Sequence, residues 1–198
     1  MPESTYTYRP YSGAAEYDAL TPGGTGPAGN PNMGQTGGFW FTTTSAVNAV
    51  AAATSTVPVI YNPTTSHYIA RIQIVKLTDT STLAAGGLYY GYTLGATFSS
   101  VTNGPAPINS YMNGPQLGCP FAWYTTATCS ATPTLMASGF SSGGTLANGP
   151  VFPLIDPVNG SINLGPGAAF FPIMASASVN GSFQVAMFVI ATPMLTGN

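Results

Sequence analysis

The segment "GFSSG" (139–143) has the G-x-S-x-G spacing of a serine nucleophile, with Ser141 at the centre. Such a serine needs an acid and then a histidine later in the chain, which together raise its nucleophilicity. After Ser141 the only acid is Asp156, and the single histidine, His67, lies upstream. Other triad orders exist on other folds, but nothing else in the sequence supports one here. We therefore interpret the motif as a chance match in a chain rich in glycine and serine.

A second motif, "GTGPAG" (24–29), has the G-x-G-x-x-G spacing of a dinucleotide-binding turn. Pro27 interrupts it and no helical pattern follows, although the dinucleotide site requires a helix there. General acid–base catalysis needs titratable groups brought together, and this chain has one histidine and five acids. We predict that the protein is not an enzyme and that it binds no cofactor, metal ion or small-molecule substrate.

Two cysteines, Cys119 and Cys129, flank the segment "PFAWYTTAT". One interpretation is a disulfide that closes a hairpin, and the other is a pair of buried free thiols. The sequence favours free thiols, because its polar N-terminus "MPESTYTYRPYSG" shows no secretory signal. The spacing does not predict a metal site, since no second cysteine or histidine pair accompanies it.

Charge is the scarcest property of this sequence. Charged residues make up 4% of the 198 residues, whereas roughly 25% is average for a soluble domain. The surface must therefore consist mainly of neutral polar, glycine, proline and tyrosine residues, which give little electrostatic repulsion between molecules. We expect the protein to pack against copies of itself or against a partner. The charged residues are Glu3, Arg9, Glu16, Asp18, Arg71, Lys76, Asp79 and Asp156.

The same composition argues against two kinds of partner. Binding nucleic acid requires lysine and arginine to neutralise phosphates, and the three basic residues here form no cluster. The most apolar run, residues 183–192, is too short for a transmembrane helix. We expect neither a nucleic acid nor a membrane as a partner.

Residues 1–38 differ from the rest and predict an extended N-terminal arm, followed by one domain over residues 39–198. This arm holds half of the charges and ends in the run "TPGGTGPAGNPNMGQTGG" (21–38), which is typical of a linker. Its aromatic side chains indicate docking on a neighbouring surface, because tyrosine provides contact area at low entropic cost. The candidate contact residues of the arm are Tyr6, Tyr8, Arg9, Tyr11 and Tyr17.

The segment "GGLYYGYTLGATF" (86–98) alternates with a period of two, which predicts a half-buried strand. Leu88 and Tyr90 lie on one face of this strand, and the alternation predicts that Phe98 lies on the same face. Tyr89 and Thr93 share the other face with glycines, and that face carries no charge. We predict that the second face contacts a neighbouring copy, because charge is depleted at the centres of interfaces.

The segment "HYIARIQIVKL" (67–77) also alternates, which predicts a strand with Ala70, Ile72 and Ile74 on one face. In a regular strand Arg71 and Lys76 would point to opposite faces. Arg71 is a candidate for a cross-strand pair with Asp79 or Asp156, or for a salt bridge between subunits.

The whole chain predicts an all-β fold: an antiparallel β-sandwich or jelly roll of about 8–10 short strands with an extended N-terminal arm. Asn-Gly, a strong hairpin signal, occurs five times, there are 18 prolines, and no long helical pattern is visible. The pair Asn180-Gly181 predicts a particularly clear hairpin. Segment 46–54 could be a strand or one helical turn. The other candidate strands span 39–43, 57–61, 67–77, 86–98, 121–126, 134–140, 151–155, 161–164, 168–177 and 182–192.

Two stretches, "VPVIYNPTTSHYIARIQIVKL" (57–77) and "GPGAAFFPIMASASVNGSFQVAMFVIATPM" (165–194), together with the neutral middle, resemble structural proteins of tailed-bacteriophage virions. The resemblance is to the jelly-roll capsid decoration or cement type and covers roughly residues 39–194. It implies a homotrimer or similar ring on the capsid exterior and an arm that reaches the major capsid protein. It also implies synthesis in the host cytoplasm, and that family has no catalytic residues to transfer.

Other interpretations remain open at this point. Within a virion, the chain could instead be a tail, fibre or head-to-tail component, although no fixed-period repeat typical of fibres is present. Outside viruses, it could be a carbohydrate-binding or adhesion module, in which Trp40, Trp123 and the tyrosines stack on sugar rings. A cellular filament or surface-layer subunit is a further alternative, against which the missing export signal counts.

Overall fold

A computed structural model describes residues 38–48, 56–80, 86–110, 118–141, 154–156, 158–175 and 181–194. Within these ranges the chain forms thirteen strands and no helix. This exceeds the predicted number, because pieces of two or three residues also pair with the sheets. The strands are β1 (Gly38–Thr42), β2 (Val47–Asn48), β3 (Thr56–Tyr61), β4 (Tyr68–Asp79), β5 (Gly86–Leu94), β6 (Phe98–Asn103), β7 (Ile108–Asn109), β8 (Ala122–Cys129), β9 (Thr134–Ser141), β10 (Leu154–Asp156), β11 (Ile162–Leu164), β12 (Ala168–Ala175) and β13 (Ser182–Pro193).

The strands form two antiparallel sheets that pack face to face, so the predicted all-β sandwich is confirmed. The first sheet has the order β10-β4-β13-β1-β7, with β11 also paired to β4 and β2 to β13. The second sheet has the order β6-β8-β3-β12-β5-β9. Most neighbours are distant in sequence, so closing the sandwich requires long-range pairing.

Alternation along the long strands builds the core between the sheets. In β13, the side chains of Val185, Met187 and Val189 are buried, whereas those between them are partly exposed. From the second sheet, Phe170 and Ile60 enter the same cluster. The period of two therefore gives each sheet one apolar inner face, as a β-sandwich requires.

Strand β12 is buried on both sides along its whole length. Phe170 and Ile173 belong to the core between the sheets, whereas Phe171 and Met174 belong to a second cluster on the outer side of the second sheet. The pairing register of β12 with β5 shifts between Phe171 and Met174. A bulge at Pro172 explains the shift, since proline has no N–H for the ladder and is tolerated at bulges.

Asn62 connects the two sheets at the end of β3. Its side-chain Nδ2 donates hydrogen bonds to the carbonyl of Tyr68 at 2.8 Å and to that of Leu164 at 2.9 Å, both in the first sheet. Its backbone N–H donates to Ala168, and its carbonyl accepts from Gly167, both near the start of β12. Asn62 is fully buried, so these bonds satisfy backbone groups that water cannot reach.

The alternating segment 86–98 divides into two strands. The face assignment is confirmed over β5, where Leu88 and Tyr90 enter the core between the sheets. The predicted continuation to Phe98 is wrong, because Gly95 adopts a φ of 66° and ends the strand, and Phe98 begins β6 in another part of the second sheet. Leu94 is consequently 73% exposed.

Two of the five Asn-Gly pairs, at 103–104 and 159–160, lie entirely within the described residues, and the second forms a tight turn. Asn159 and Gly160 have φ values of 49° and 73°, and Ser161 N donates to the Val158 carbonyl at 2.9 Å. This geometry confirms the predicted tight turn at 159–160. At 103–104, by contrast, Gly104 N donates to the Trp123 carbonyl within the sheet. The turns predicted at 113–114 and 148–149, and Asn180 of the last pair, lie outside the described residues.

We predict that Asn62→Ala lowers the free energy of unfolding by about 1–3 kcal/mol, because the buried Leu164 carbonyl loses the hydrogen bond from Asn62 Nδ2. Urea denaturation followed by tryptophan fluorescence measures this change. The matched control is Asn163→Ala, which removes an exposed side chain that donates to the Gly160 carbonyl at 3.0 Å. Equal losses in the two variants would contradict the role assigned to Asn62.

Candidate interaction surfaces

The residues considered for catalysis are not brought together. His67 is exposed ahead of β4 in the first sheet, and its carbonyl accepts a hydrogen bond from Met194 N at 2.8 Å. Ser141 ends β9 in the second sheet, and Asp156 ends β10 in the first. Over the part of the chain that the structure describes, no group of three or more His, Cys, Asp or Glu residues could hold a metal ion. The motif at 24–29 lies outside those residues.

Both cysteines are free thiols, so the disulfide interpretation is wrong; Cys129 is buried as the alternative expected, whereas Cys119 is partly exposed. Cys119 packs against the core between the sheets, whereas Cys129 lies in the cluster on the outer side of the second sheet. The sheet itself separates them. Burial raises the pKa of the Cys119 thiol to about 11, and a backbone hydrogen bond with Phe121 offsets part of this rise.

The outer side of the second sheet carries a group of aromatic rings, which we call the aromatic face: Tyr61, Tyr89, Phe98 and Tyr124. The centroid of the Phe98 ring lies 5.3 Å from that of Tyr61 and 6.1 Å from that of Tyr124. All four side chains are half-buried, so each presents part of its ring at the surface. The only side-chain polar groups of these four residues are the hydroxyls of the three tyrosines, and none of the four is ionised.

Beneath these rings lies a tightly buried apolar layer. Val59, Phe171 and Met174 are fully buried, although they lie on the side of the sheet away from the sandwich core. The six strands of the second sheet contain no Asp, Glu, Lys, Arg or His at all. An aromatic outer face on an uncharged sheet is the distinctive surface of this molecule, since outer faces of antiparallel sheets are usually solvated and polar.

Tyr89 and Thr93 lie on this outer side, opposite Met174 and Ala169 respectively. Tyr89 is half-buried and contributes to the aromatic face. The prediction that Thr93 forms a free subunit contact is wrong, because Thr93 is only 5% exposed within its own chain. At neighbouring Gly91 an added Cβ would come within 2.6 Å of Met174 Sδ and 3.2 Å of Pro133 Cβ. Small neutral residues here accommodate packing within the chain.

A bulge in β4 changes the outer side of the first sheet. Phe188 pairs with Ile74 and Val189 with Ile72, which leaves Gln73 as an extra residue in β4. The Asn159-Gly160 turn donates to the carbonyls of Gln73 and Ile72 at 2.9 and 2.8 Å, which satisfies these two carbonyls of the bulge. An extra residue inverts the alternation beyond it.

Two predictions about this strand are therefore wrong. Ile74 does not share the core side of Ala70 and Ile72, because it lies opposite half-exposed Phe188 on the outer side. Arg71 and Lys76 do not point to opposite faces: both lie on the outer side, opposite Ile190 and Ala186. Both basic residues outside the arm thus occur on one surface.

We call this outer surface of the first sheet the basic face. The Trp40 and Phe188 rings stack at its centre, with centroids 4.9 Å apart and an interplanar angle of 32°. Ile108, 52% exposed, pairs with Trp40 at the β7 edge. The basic face consists of Trp40, Arg71, Ile74, Lys76, Ile108, Phe188 and Ile190.

The acids proposed as partners of Arg71 lie elsewhere on the sheet. Asp79 is eight positions further along the same strand, about 26 Å at the usual rise per residue. The backbone of Asp156 pairs with that of Val75, four positions beyond Arg71 along β4. The cross-strand pair with Asp79 is therefore wrong. The salt bridge between subunits stays a prediction, and the arm residues Tyr6, Tyr8, Arg9, Tyr11 and Tyr17 lie outside the described residues.

No protein-family model matches the sequence, and neither curated proteins nor solved structures gave a match. Within the described residues, no helix has the length and apolar character needed to cross a membrane.

We expect Thr93→Val to raise the free energy of unfolding by about 1 kcal/mol, because the buried Thr93 Oγ1 has no hydrogen-bond partner. Valine keeps the shape of the side chain and removes the unsatisfied hydroxyl. Chemical denaturation provides the measurement, and Thr97→Val at an exposed position is the control. A Thr93→Val variant less stable than the parent would show that the hydroxyl has a partner in solution.

The raised pKa of Cys119 predicts slow alkylation. At pH 8, iodoacetamide should modify native Cys119 roughly a hundredfold more slowly than the same thiol in urea. The reason is that the pKa rises from 9.0 for an ordinary thiol to about 11 in the folded protein, so the reactive thiolate is about a hundredfold rarer. The rate should rise with pH up to about 11, as the thiolate forms. Mass spectrometry of quenched samples gives the rate at each cysteine. Equal native and unfolded rates at pH 8 would contradict the burial of this thiol.

Proposed function

We propose that this protein is a structural component of a bacteriophage virion, of the capsid decoration or cement type, that associates with copies of itself and attaches to the capsid exterior. The observation that carries the proposal is the second sheet, whose six strands hold no charged residue and whose outer side is aromatic. The sequence pattern over residues 39–194 adds the resemblance to virion proteins.

The chemistry of the aromatic face supports self-association. Tyrosine and phenylalanine are enriched in the buried centres of protein interfaces, and charged residues are depleted there. Covering Tyr61, Tyr89 and Tyr124 with a second copy would desolvate no ion, so it would avoid the large penalty of burying an unpaired charge. The resemblance favours a homotrimer as the product.

The proposed partner is the major capsid protein, and the proposed location is the capsid exterior. The arm, residues 1–38, would contact the major capsid protein, and the chain would reach the capsid exterior after synthesis in the host cytoplasm. The scarcity of basic residues supports an exterior position, since a protein that lines the genome would carry more of them. A tail, fibre or head-to-tail position is the alternative within the same class.

A carbohydrate-binding function is the second candidate, and one observation favours it. Trp40 is half-exposed, so its ring is available for stacking on a sugar. Trp123 is not available, because it is 4% exposed and its indole N–H donates to the Thr42 carbonyl at 3.1 Å. A glycan array with the wild-type chain and Trp40→Ala decides this candidate: binding lost in the variant would support it.

The native mass of the protein tests the proposed self-association. We expect a discrete oligomer for the wild type by native mass spectrometry and light scattering, and monomers for Tyr89→Lys and Tyr124→Lys. Each variant places a charge on the aromatic face, and an uncompensated charge in an interface is costly. Circular dichroism and thermal unfolding establish that the variants are folded.

The matched control is Gln184→Lys, which adds the same charge at an exposed position of the first sheet. It should keep the oligomer. A monomeric wild type, or oligomers of unchanged mass in folded Tyr89→Lys and Tyr124→Lys, would remove the aromatic face from the proposal.

The position in a virion needs a separate experiment. An antibody raised against the purified protein should label the outside of phage particles from cells that produce the chain, in immunogold electron microscopy. Particles that contain the protein but do not bind the antibody until disrupted would place it inside. Particles without the protein would overturn the virion assignment.

A further inference from the structure

The basic face of the first sheet combines partly exposed apolar side chains with the two cations Arg71 and Lys76. Across β4, β13 and β1, Arg71, Ile190 and Gly38 form one row, and Ile74, Phe188 and Trp40 form the next. Lys76 lies one row further along, opposite Ala186. Asp79 does not lie on this side by register, since it pairs with buried Phe183, and the backbone of Asp156 pairs with β4 at Val75, outside these two rows.

This charge pattern argues against a second copy of the same face as its cover. Two such faces in contact would bring four cations into one interface, and neither face supplies a carboxylate to balance them. Like charges facing each other cost several kcal/mol and oppose association. The occupant that fits must bring acidic groups and aromatic or apolar side chains together.

Residues 1–20 of the chain have this composition. They contain Glu3, Glu16 and Asp18 against the single base Arg9, and they also contain four tyrosines, Tyr6, Tyr8, Tyr11 and Tyr17. Outside this segment the sequence has only two other acids, Asp79 and Asp156. The segment therefore holds most of the negative charge that could balance Arg71 and Lys76.

The connection between this segment and the sheet has a suitable length. Residues 21–37 are rich in glycine and proline and join it to Gly38, where β1 enters the basic face beneath Phe188. An unstructured chain of these 17 residues would have a typical end-to-end distance of about 23 Å. The face measures roughly 14 Å from β4 to β7 and about 15 Å along the strands. The tether thus keeps the segment near the face at about millimolar effective concentration.

We propose that residues 1–20 dock on the basic face of their own chain, with the tyrosines against Trp40, Phe188 and Ile190 and the carboxylates near Arg71 and Lys76. The docked segment covers the apolar rows and neutralises both cations. This inference is independent of the proposed function, because it concerns the isolated chain. An arm held in this way has to leave its own sheet before it can contact a shell.

Photo-cross-linking of the full chain tests the docking. p-Benzoylphenylalanine replaces Ile190, which is half-exposed at the centre of the face. The matched control places the same probe at Leu135, 43% exposed on the edge of the second sheet. A one-to-one mixture of ¹⁴N and ¹⁵N chains is irradiated after the two have been mixed in denaturant and refolded together, and cross-linked peptides are identified by mass spectrometry.

We expect cross-links from position 190 to peptides within residues 1–20, and none from position 135. Each cross-link should join two ¹⁴N (light) peptides or two ¹⁵N (heavy) peptides, because both come from the same chain. Cross-links that join light to heavy peptides would overturn docking on the same chain and assign the segment to a neighbouring copy. Cross-links from position 190 to other parts of the chain, or equal yields from both positions, would overturn the docking itself.

Fluorescence quenching provides a second measurement that does not depend on the probe. Acrylamide quenching of Trp40 should increase roughly two- to threefold when Glu3, Glu16 and Asp18 are replaced by Gln, Gln and Asn, because an undocked arm uncovers the ring. The fluorescence of Trp123 should be quenched equally in both proteins, because this residue is buried in the core between the sheets. High salt should have a similar effect on the wild type and little on the variant. Unchanged quenching in the variant would contradict the charge pairing.

Discussion

Strand β12 must bury both of its sides, and the arrangement of the second sheet follows from that requirement. Its neighbours β3 and β5 satisfy the backbone groups of β12, while Phe170 and Phe171 need apolar partners in opposite directions. The inner direction is satisfied by the first sheet. The outer direction is satisfied by aromatic rings such as Tyr89 and Phe98, which is why an outer sheet face in this protein is apolar. The aromatic face is thus a result of packing a central strand on both sides.

How far the sequence predicts this fold depends on whether a strand is regular. Alternation located β5 and assigned Leu88 and Tyr90 to the core, because a period of two is a local property. It could not locate the bulges at Gln73 and Pro172, which are stabilised by partners distant in sequence, such as the Asn159-Gly160 turn. One extra residue was enough to reverse the expected sides of Ile74 and Lys76. The burial of Thr93 was equally unpredictable, since it depends on which segments cover the sheet.

The candidate surfaces were predictable in character but not in position. Composition alone indicated neutral, tyrosine-rich contact surfaces, and the aromatic face with Tyr89 has that character. The concentration of Arg71 and Lys76 on one face required the pairing register of β4 with β13. Low charge content therefore has two different structural results here: one sheet has no charge, and the other has two cations on one side. These two outer faces are chemically distinct, so they suit different partners.

Strand β6, at one edge of the second sheet, shows how an uncharged edge can resist the addition of another strand. Strand β6 is exposed, uncharged and at the end of the sheet, a combination that normally invites another chain to add a strand. Many proteins protect such edges with lysine, which this strand does not contain. Instead, Ser100 adopts a φ of 50°, and the register of β6 shifts twice along its six residues. A backbone bent in this way offers no regular row of donors and acceptors, so β6 is a poor template for the addition of a strand.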